Sequence, residues 1–197
     1  TLLTPDHYRV MPWKNGQGST TEIAVHPPGA GLDEFTWRLS IAEIGQDGPF
    51  SAFPGVDRTI LLLVGAGMVL EFDEAPAHVL LERRFVHFSF RGEWHTQCRL
   101  LDGPVRDVNV MTVRARARHR VEVLHLAERP ERRALAGDVT LLHALEGGLR
   151  VHGPSGDWSL GPGDTLRLDD GATELTIGAA HAAAIAYLIE IALTTPE

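Results

Sequence analysis

The sequence predicts an all-β protein. Short runs in which apolar and polar residues alternate recur along the 197 residues, and clusters of glycine, proline and aspartate separate them. The 20 glycines and 12 prolines suit many tight connections between short strands of a sandwich or barrel. One segment, 122–137, is a candidate for a short helix, and Pro130 interrupts it. Helices are therefore expected to be accessories.

Strands are expected in both halves of the chain. In the first half the clearest are 35–42, 59–64, 68–72, 85–90 and 105–113. The second half continues with 139–145, 148–152, 164–168 and an apolar run from Ala182 to Leu193. That closing run is apolar enough either to close a barrel or to pair across a homodimer, and the two readings stay open.

A more specific sequence pattern occupies residues 146–171. A glycine-started strand, a turn and a second short strand lead to Gly161-Pro162-Gly163-Asp164, which opens another strand. This layout resembles the cupins, and residues 65–74 resemble a degenerate copy of its beginning. The resemblance implies a bicupin, with two jelly-roll barrels packed in one compact chain. We expect the N-terminal half, 1–115, to hold the ligand pocket and 116–197 to form the other half.

Charge and composition exclude several classes of protein. The net charge is −8, with 10 basic against 14 acidic residues up to residue 115 and 8 against 12 beyond it. Uniform acidity disfavours nucleic acid and anionic membranes as partners. The lone Cys98 excludes an internal disulfide, and no run approaches the ~20 apolar residues of a membrane span. Without the layout of a signal peptide, we expect a soluble, cytoplasmic protein.

The rarest polar residues lie together. Lys14 is the only lysine beside 17 arginines, and Asn15 and Asn109 are the only asparagines. Lysine offers a compact charge with three donors, and the asparagine and glycines after it let a backbone approach a ligand closely. A coding bias against lysine and asparagine is the plain alternative for Lys14 alone. The co-location favours a turn that presents Lys14 to a ligand.

Strand alternation assigns faces to other polar residues. Arg38 and Ser40 share one face of 35–42, and Asp107 and Asn109 share one face of 105–113. A solvated outer sheet is the alternative for each face taken singly. The intervening loop, 45–58, is rich in glycine, proline and phenylalanine, so it forms either a rim over a barrel mouth or an ordinary loop with its rings in the core.

No metal or other cofactor is expected. Cupin metal sites usually contain an H-x-H pair, and none of the ten histidines forms one. His87, Glu93 and His95 fall on alternate positions and are the best remaining set for a divalent ion, but most histidines in such settings serve the surface or the core.

Three segments together resemble a family. Residues 11–23, 37–58 and 102–112 are similar, in order and spacing, to the signature segments of the HutD/Ves proteins, and the likeness spans essentially the whole chain. Gln17 stands where the family commonly has glycine, and Val108 where phenylalanine is usual. The resemblance implies a small bicupin encoded with histidine-utilisation genes. Such a protein is thought to tune that pathway by binding an intermediate such as formylglutamate or urocanate.

An anionic metabolite agrees with the residues of these segments. Lys14, Arg38 and Arg58 supply cations, and arginine forks suit carboxylates. Carried over residue by residue, the family motif predicts a ligand site of mixed aromatic, cationic and polar side chains. Its members are Trp13, Lys14, Asn15, Arg38, Ser40, Phe50, Ser51, Arg58 and Asn109.

Two other functions stay open. The protein could be a metal-free cupin enzyme, an isomerase or hydrolase of a small organic acid, with Lys14 and Glu22, or His95 and Glu93, as base and acid. No catalytic residue is assigned. The arginine-rich segment 114–120 could place four arginines on one face and track phosphates or an acidic protein, although a solvated linker is the simpler expectation.

Overall fold

The computed structural model describes residues 1–13, 16, 18–74, 76–169 and 171–194. The predicted all-β class is confirmed, because the regular structure of these residues is strand apart from a 3-10 helix at Pro5–His7. Within the described ranges no helix is long and apolar enough to cross a membrane. The strands, numbered in chain order, are β1 (Leu2–Leu3), β2 (Arg9–Pro12), β3 (Gly18–His26), β4 (Trp37–Ile44), β5 (Gly48–Pro49), β6 (Val56–Val64), β7 (Met68–Phe72), β8 (His78–Leu81), β9 (His87–Arg91), β10 (Thr96–Leu100), β11 (Val105–Val113), β12 (Ala117–Ala127), β13 (Glu131–Ala134), β14 (Val139–Glu146), β15 (Leu149–Gly153), β16 (Gly156–Leu160), β17 (Thr165–Leu168), β18 (Glu174–Ala179) and β19 (Ala183–Leu193).

The chain divides into two compact units. We call Arg9–Arg116 the N-terminal unit, and Thr1–Tyr8 together with Ala117–Glu197 the C-terminal unit. The sequence analysis placed residues 1–115 in one half, whereas here the first eight residues belong to the C-terminal unit.

The N-terminal unit has two antiparallel sheets around one core. One sheet has the order β2-β3-β4-β11-β6-β9 and the other β5-β10-β7-β8. Buried apolar residues of both sheets share a cluster, with Ile60 and Leu62 on the first sheet and Met68 and Leu70 on the second. The interior of this unit is therefore the space between the two sheets.

Register brings the predicted polar residues of β4, β6 and β11 together. Asn109 of β11 lies opposite Ser40 of β4, and Met111 lies opposite both Arg38 and Arg58. Residues two apart on a strand share a face, and Ile60 on the face of Arg58 belongs to the core cluster. These polar side chains therefore point into the interior and not onto a solvated outer face.

A bulge in β3 changes the faces that simple alternation assigns there. Alternation puts Glu22 and His26 on one face and Val25 on the other. The register slips between Glu22 and Ala24, so that Glu22 pairs with Ser40 and Val25 pairs with Arg38, on the same face. His26 moves to the opposite face and stacks on Trp37 with 5.9 Å between ring centroids.

The C-terminal unit also has two sheets, with the orders β1-β17-β14-β19-β12 and β13-β18-β15-β16. The buried residues of its core cluster are all leucine, isoleucine, valine or alanine. The helix expected at 122–137 is wrong, since β12 and β13 occupy this stretch. All 11 residues of β12 pair with β19, and this pairing outweighs the local preference.

The Gly-Pro-Gly-Asp turn has the expected role. Gly163 adopts a positive φ of 91°, a conformation that suits glycine, and its N–H donates to the Ala144 carbonyl at 2.8 Å. The Asp164 carboxylate accepts from Gly161 N–H at 2.8 Å, and β17 follows directly. The closing strand β19 pairs with β12 on one side and β14 on the other, so both of its edges are used within this unit.

Candidate functional site

The centre of the candidate site is Arg58, whose guanidinium is enclosed by aromatic rings. Arg58 is only 5% exposed, and its guanidinium carbon lies 5.0, 5.3 and 5.5 Å from the ring centroids of Phe90, Phe50 and Phe53. Its Nη1 donates to the Ser51 carbonyl at 3.5 Å, and no described residue accepts a hydrogen bond from Nε. The rings hold this cation by cation–π attraction and leave one donor unused.

Arg38 is the second buried cation of this face. Its Nε donates to Glu22 Oε2 at 2.8 Å, and its Nη1 lies 3.5 Å from Ser40 Oγ. The bulge of β3 keeps Glu22 opposite Ser40, within reach of Arg38. The charge of Arg38 is therefore balanced inside the protein.

Two buried oxygens of β11 lack partners. Asp107 is 1% exposed and Asn109 is 8% exposed, and neither Asp107 Oδ1 nor Asn109 Oδ1 has a hydrogen-bond partner among the described residues. Buried polar atoms in folded proteins are normally hydrogen-bonded, so these two oxygens are positioned to accept hydrogen bonds from a ligand or from water. This face therefore carries one donor, Arg58 Nε, and two acceptors, Asp107 Oδ1 and Asn109 Oδ1, without partners among the described residues.

The electrostatics of the site follow from burial. Burial lowers the pKa of Arg58 to about 10; the Asp107 carboxyl opposes this shift and the charge of Arg38 adds to it. Burial raises the pKa of Asp107 to about 7, against the opposing effect of Arg58. At neutral pH Arg58 is therefore charged, whereas Asp107 is poised between its two protonation states.

The loop at 45–58, for which a rim and an ordinary core-packed loop were both open, supplies two of the rings around Arg58. Phe50 N–H donates to the Thr96 carbonyl at 2.9 Å, and Phe53 N–H donates to the Gly92 carbonyl at 2.7 Å. Arg114 holds the end of the loop, because its Nη1 donates to the Val56 carbonyl at 3.0 Å and to Asp57 Oδ1 at 2.8 Å. The loop thus fixes the position of Arg58 from outside the sheet.

The predicted site residues fall into three groups. Arg38, Ser40, Arg58, Phe50 and Asn109 lie on or against the one interior face, as described above. The structure does not describe Lys14 or Asn15, so the predictions for them lie outside the described residues.

Trp13 and Ser51 take different parts. Trp13 packs against the core of the N-terminal unit, and its Nε1 donates to Thr20 Oγ1 at 2.8 Å. Ser51 is exposed and contributes its backbone carbonyl to Arg58.

Sequence reasoning left three participants out of the predicted site. Glu22 balances Arg38, Asp107 lies two residues before Asn109 on the same face, and Phe90 packs on Arg58. The alternation of β11 already indicated the position of Asp107. The pairing of Arg58 with Phe90 across β6 and β9 could not be read from either strand alone.

The residues weighed for a metal or for acid–base chemistry do not converge. Glu93 pairs with Arg114, while His95 lies 3.4 Å from Asp73 on the surface. Within the described part of the chain, no cluster of three or more histidine, cysteine, aspartate or glutamate residues could hold a metal ion. Neither the His87 set nor the pairing of Glu93 with His95 has structural support.

The arginine-rich segment is not one extended stripe. Residues 114–116 form a turn, which breaks the common face that alternation predicted. Arg114 is used within the N-terminal unit, and Arg116 Nη1 lies 3.5 Å from the Glu34 carbonyl. Only Arg118 and Arg120 continue into β12.

A depression of about 600 Å³ lies on the outer face of the β5-β10-β7-β8 sheet. It is lined by exposed side chains such as His78, Leu80 and Arg99, and contains none of the predicted site residues. It is therefore separate from the arginine face.

Fold and site together define a cupin-type β protein with buried arginines inside its N-terminal unit. A cupin 2 conserved barrel domain protein from Leptotrichia buccalis shares the fold, with a TM-score of 0.59, 9% identity and 92% of each chain covered. The HutD family model matches residues 5–186, and the chain belongs to the HutD family. The resemblance to HutD/Ves proteins is confirmed.

Two similar proteins have names that refer to histidine utilisation. An uncharacterized 21.2 kDa protein in the hutC 3′ region of Pseudomonas putida is 46% identical over 121 residues, which span 61% of this chain and 62% of that protein. The structure of HutD from Pseudomonas fluorescens SBW25, in a formate condition, has 33% identity and a TM-score of 0.84 over 99% of both chains. The family is associated with histidine utilisation.

Proposed function

We propose that this protein is a non-enzymatic, cytoplasmic regulator that modulates histidine utilisation by binding an anionic intermediate of the formylglutamate or urocanate type. The binding site is the interior face that carries Arg38, Ser40, Arg58 and Asn109. The observation that carries the proposal is Arg58, a buried cation enclosed by three rings with an unused donor.

The energetic argument concerns the cost of burying charge. Removing an ion from water costs several kcal/mol unless partners compensate it. Glu22 compensates Arg38, but Asp107 is only partly ionised at neutral pH and compensates Arg58 incompletely. A carboxylate ligand would accept from the free Nε and balance the charge.

The difference between the two units supports a site in the N-terminal unit alone. The core cluster of the C-terminal unit is aliphatic, whereas the interior of the N-terminal unit carries Arg38, Arg58 and the two oxygens of β11 without described partners. The family context agrees, since the Pseudomonas putida relative lies in the hutC 3′ region and the Pseudomonas fluorescens structure comes from a formate condition. Formate is itself a small carboxylate.

Thermal unfolding of chelator-treated protein tests the proposal. The probes are histidine, urocanate, formiminoglutamate, formylglutamate and glutamate. A ligand at ~100 times its dissociation constant adds about 2.7 kcal/mol, and each kcal/mol raises the midpoint by roughly 2 to 4 °C at this size. We expect a rise of roughly 5 to 10 °C for one anionic intermediate.

Arginine variants decide where the ligand binds. Arg58→Met keeps the unbranched apolar stem of the side chain but removes the guanidinium, and should abolish the ligand-induced rise. Arg99→Met removes an exposed arginine of the outer face and should leave it intact. If no probe raises the midpoint, or if Arg58→Met responds like the unmodified protein, the proposal is wrong.

A second candidate is a metal-free cupin enzyme acting on a small organic acid. The observation that favours it is Asp107, because a carboxyl with a pKa of about 7 can accept and return a proton at neutral pH. Incubation of each probe with the protein, followed by NMR, distinguishes the two functions. A product that forms with the unmodified protein and not with Asp107→Asn favours the enzyme.

A further inference from the structure

We propose that Asp107 determines ligand specificity at this site, which selects small carboxylates that also carry an N–H or O–H group to donate to Asp107 Oδ1. The inference rests on the proposed function and adds a second requirement to its anionic ligand.

The position of Asp107 supports a direct contact with a ligand. It lies on β11 two residues before Asn109, on the same interior face, and it is 1% exposed. Its Oδ1 has no hydrogen-bond partner among the described residues. An ionised carboxylate can only accept hydrogen bonds, so the missing partner of the charged form is a donor.

The charges around Asp107 explain why the donor matters. Arg58 of β6 and Cys98 of β10 interact electrostatically with Asp107, and Arg38 and Glu22 lie on the same interior face. Because Glu22 already balances Arg38, an incoming anion and Asp107 share the single charge of Arg58. Two anions beside one cation repel each other in a buried site.

A donor on the ligand removes this conflict. An N–H or O–H group facing Asp107 converts a repulsive contact into a charge-assisted hydrogen bond. The alternative is that Asp107 takes up a proton and donates to the anion itself. The first arrangement prevails when Asp107 is ionised and the second when it is protonated, so selectivity for donor-bearing acids should increase with pH.

Matched pairs of acids test this selectivity. N-acetylglycine and levulinate have the same shape but differ by an N–H against a methylene group, and glycolate and propionate differ by a hydroxyl against a methyl group. In titration calorimetry at pH 8.5, the donor-bearing member of at least one pair should bind at least about tenfold more tightly than the other member. At pH 6 the difference should shrink to a few-fold or less.

Variants at position 107 identify the responsible group. Asp107→Leu should bind both members of a pair equally at either pH. Asp107→Asn is the smaller change and should keep part of the preference for the donor-bearing acid but lose its pH dependence. This variant tests the role of Asp107 if Asp107→Leu does not fold.

The outcomes separate this inference from the proposed function. If both members of each pair bind equally, and if Arg58→Met abolishes that binding, the anion site is supported and the role of Asp107 is refuted. A preference that persists in Asp107→Leu refutes it as well. Binding of none of the four acids at either pH would contradict the anion site itself and, with it, this inference.

Discussion

At the scale of single residues, the proposed site is defined by buried polar groups that lack partners in the described part of the chain. Arg58 Nε, Asp107 Oδ1 and Asn109 Oδ1 are buried without described partners. A buried polar atom whose hydrogen bond is not made costs about 1–3 kcal/mol, so a group that pairs with these atoms stabilises the protein by a comparable amount. A site that retains such groups is suited to binding, where the ligand restores the missing hydrogen bonds.

Asp107 also makes stability depend on pH. Its pKa is about 7 in the folded protein, above the ordinary value of 3.8, so between these values the folded state binds more protons than the unfolded state. The stabilising effect of protonated Asp107 is complete below about pH 4 and is lost as pH rises through about 7.

We therefore expect the unfolding free energy of Asp107→Asn to increase relative to that of the unmodified protein as pH rises from 4 to 8. The relative gain should be at most roughly 4 kcal/mol, level off above pH 7, and be measurable by urea unfolding at several pH values. Asp73→Asn, at an exposed position, serves as the control. A difference in unfolding free energy that stays constant with pH would contradict the assigned burial of Asp107.

At the scale of elements, alternation predicted strands well where they are long and apolar. The expected strands 68–72 and 105–113 have the observed bounds of β7 and β11. Short strands such as β5 and β8 escaped prediction because two to four residues carry too little pattern. The bulge of β3 was also unpredictable, because it depends on pairing with β4 rather than on local sequence.

Gly18 at the start of β3 shows how closely these elements approach. A Cβ on this residue would lie 2.2 Å from the Glu43 carbonyl oxygen and 2.9 Å from the Trp13 ring. We expect Gly18→Ala to lower the unfolding free energy by on the order of 2 kcal/mol, because a backbone atom must move.

Gly31→Ala is the matched control, since its nearest contact would be 3.8 Å away. Chemical denaturation of both variants gives the comparison. Equal stability of the two would show that β3 and β4 are not packed as described.

At the scale of the whole molecule, fold class and family could be read from the sequence, but the composition of the site could be read only in part. The sequence predicted which faces carry Arg38, Ser40 and Asn109. Asp107 shares the strand face of Asn109, whereas Glu22 and Phe90 join the site through pairing between strands, which a single strand does not reveal. Lys14 and Asn15 stay predictions.

The first eight residues belong to the C-terminal unit and are held by Tyr8. Its hydroxyl donates to the Gly163 carbonyl at 2.6 Å and lies 2.9 Å from Thr165 Oγ1. We expect Tyr8→Phe to lower the unfolding free energy by about 1–2 kcal/mol, measured by urea unfolding. Unchanged stability would mean that water replaces both contacts without loss.

This pairing also sets an order of events during synthesis. Tyr8 and Gly163 are 155 residues apart in the chain, and β1 pairs with β17 across a similar separation. At about 5–20 residues per second, a ribosome needs roughly 8 to 30 s to make the partner of Tyr8 after making Tyr8 itself. Strands β4, β6 and β11, which carry the proposed ligand site, are all made in that interval, so they can pair with one another before β1 has β17 as a partner.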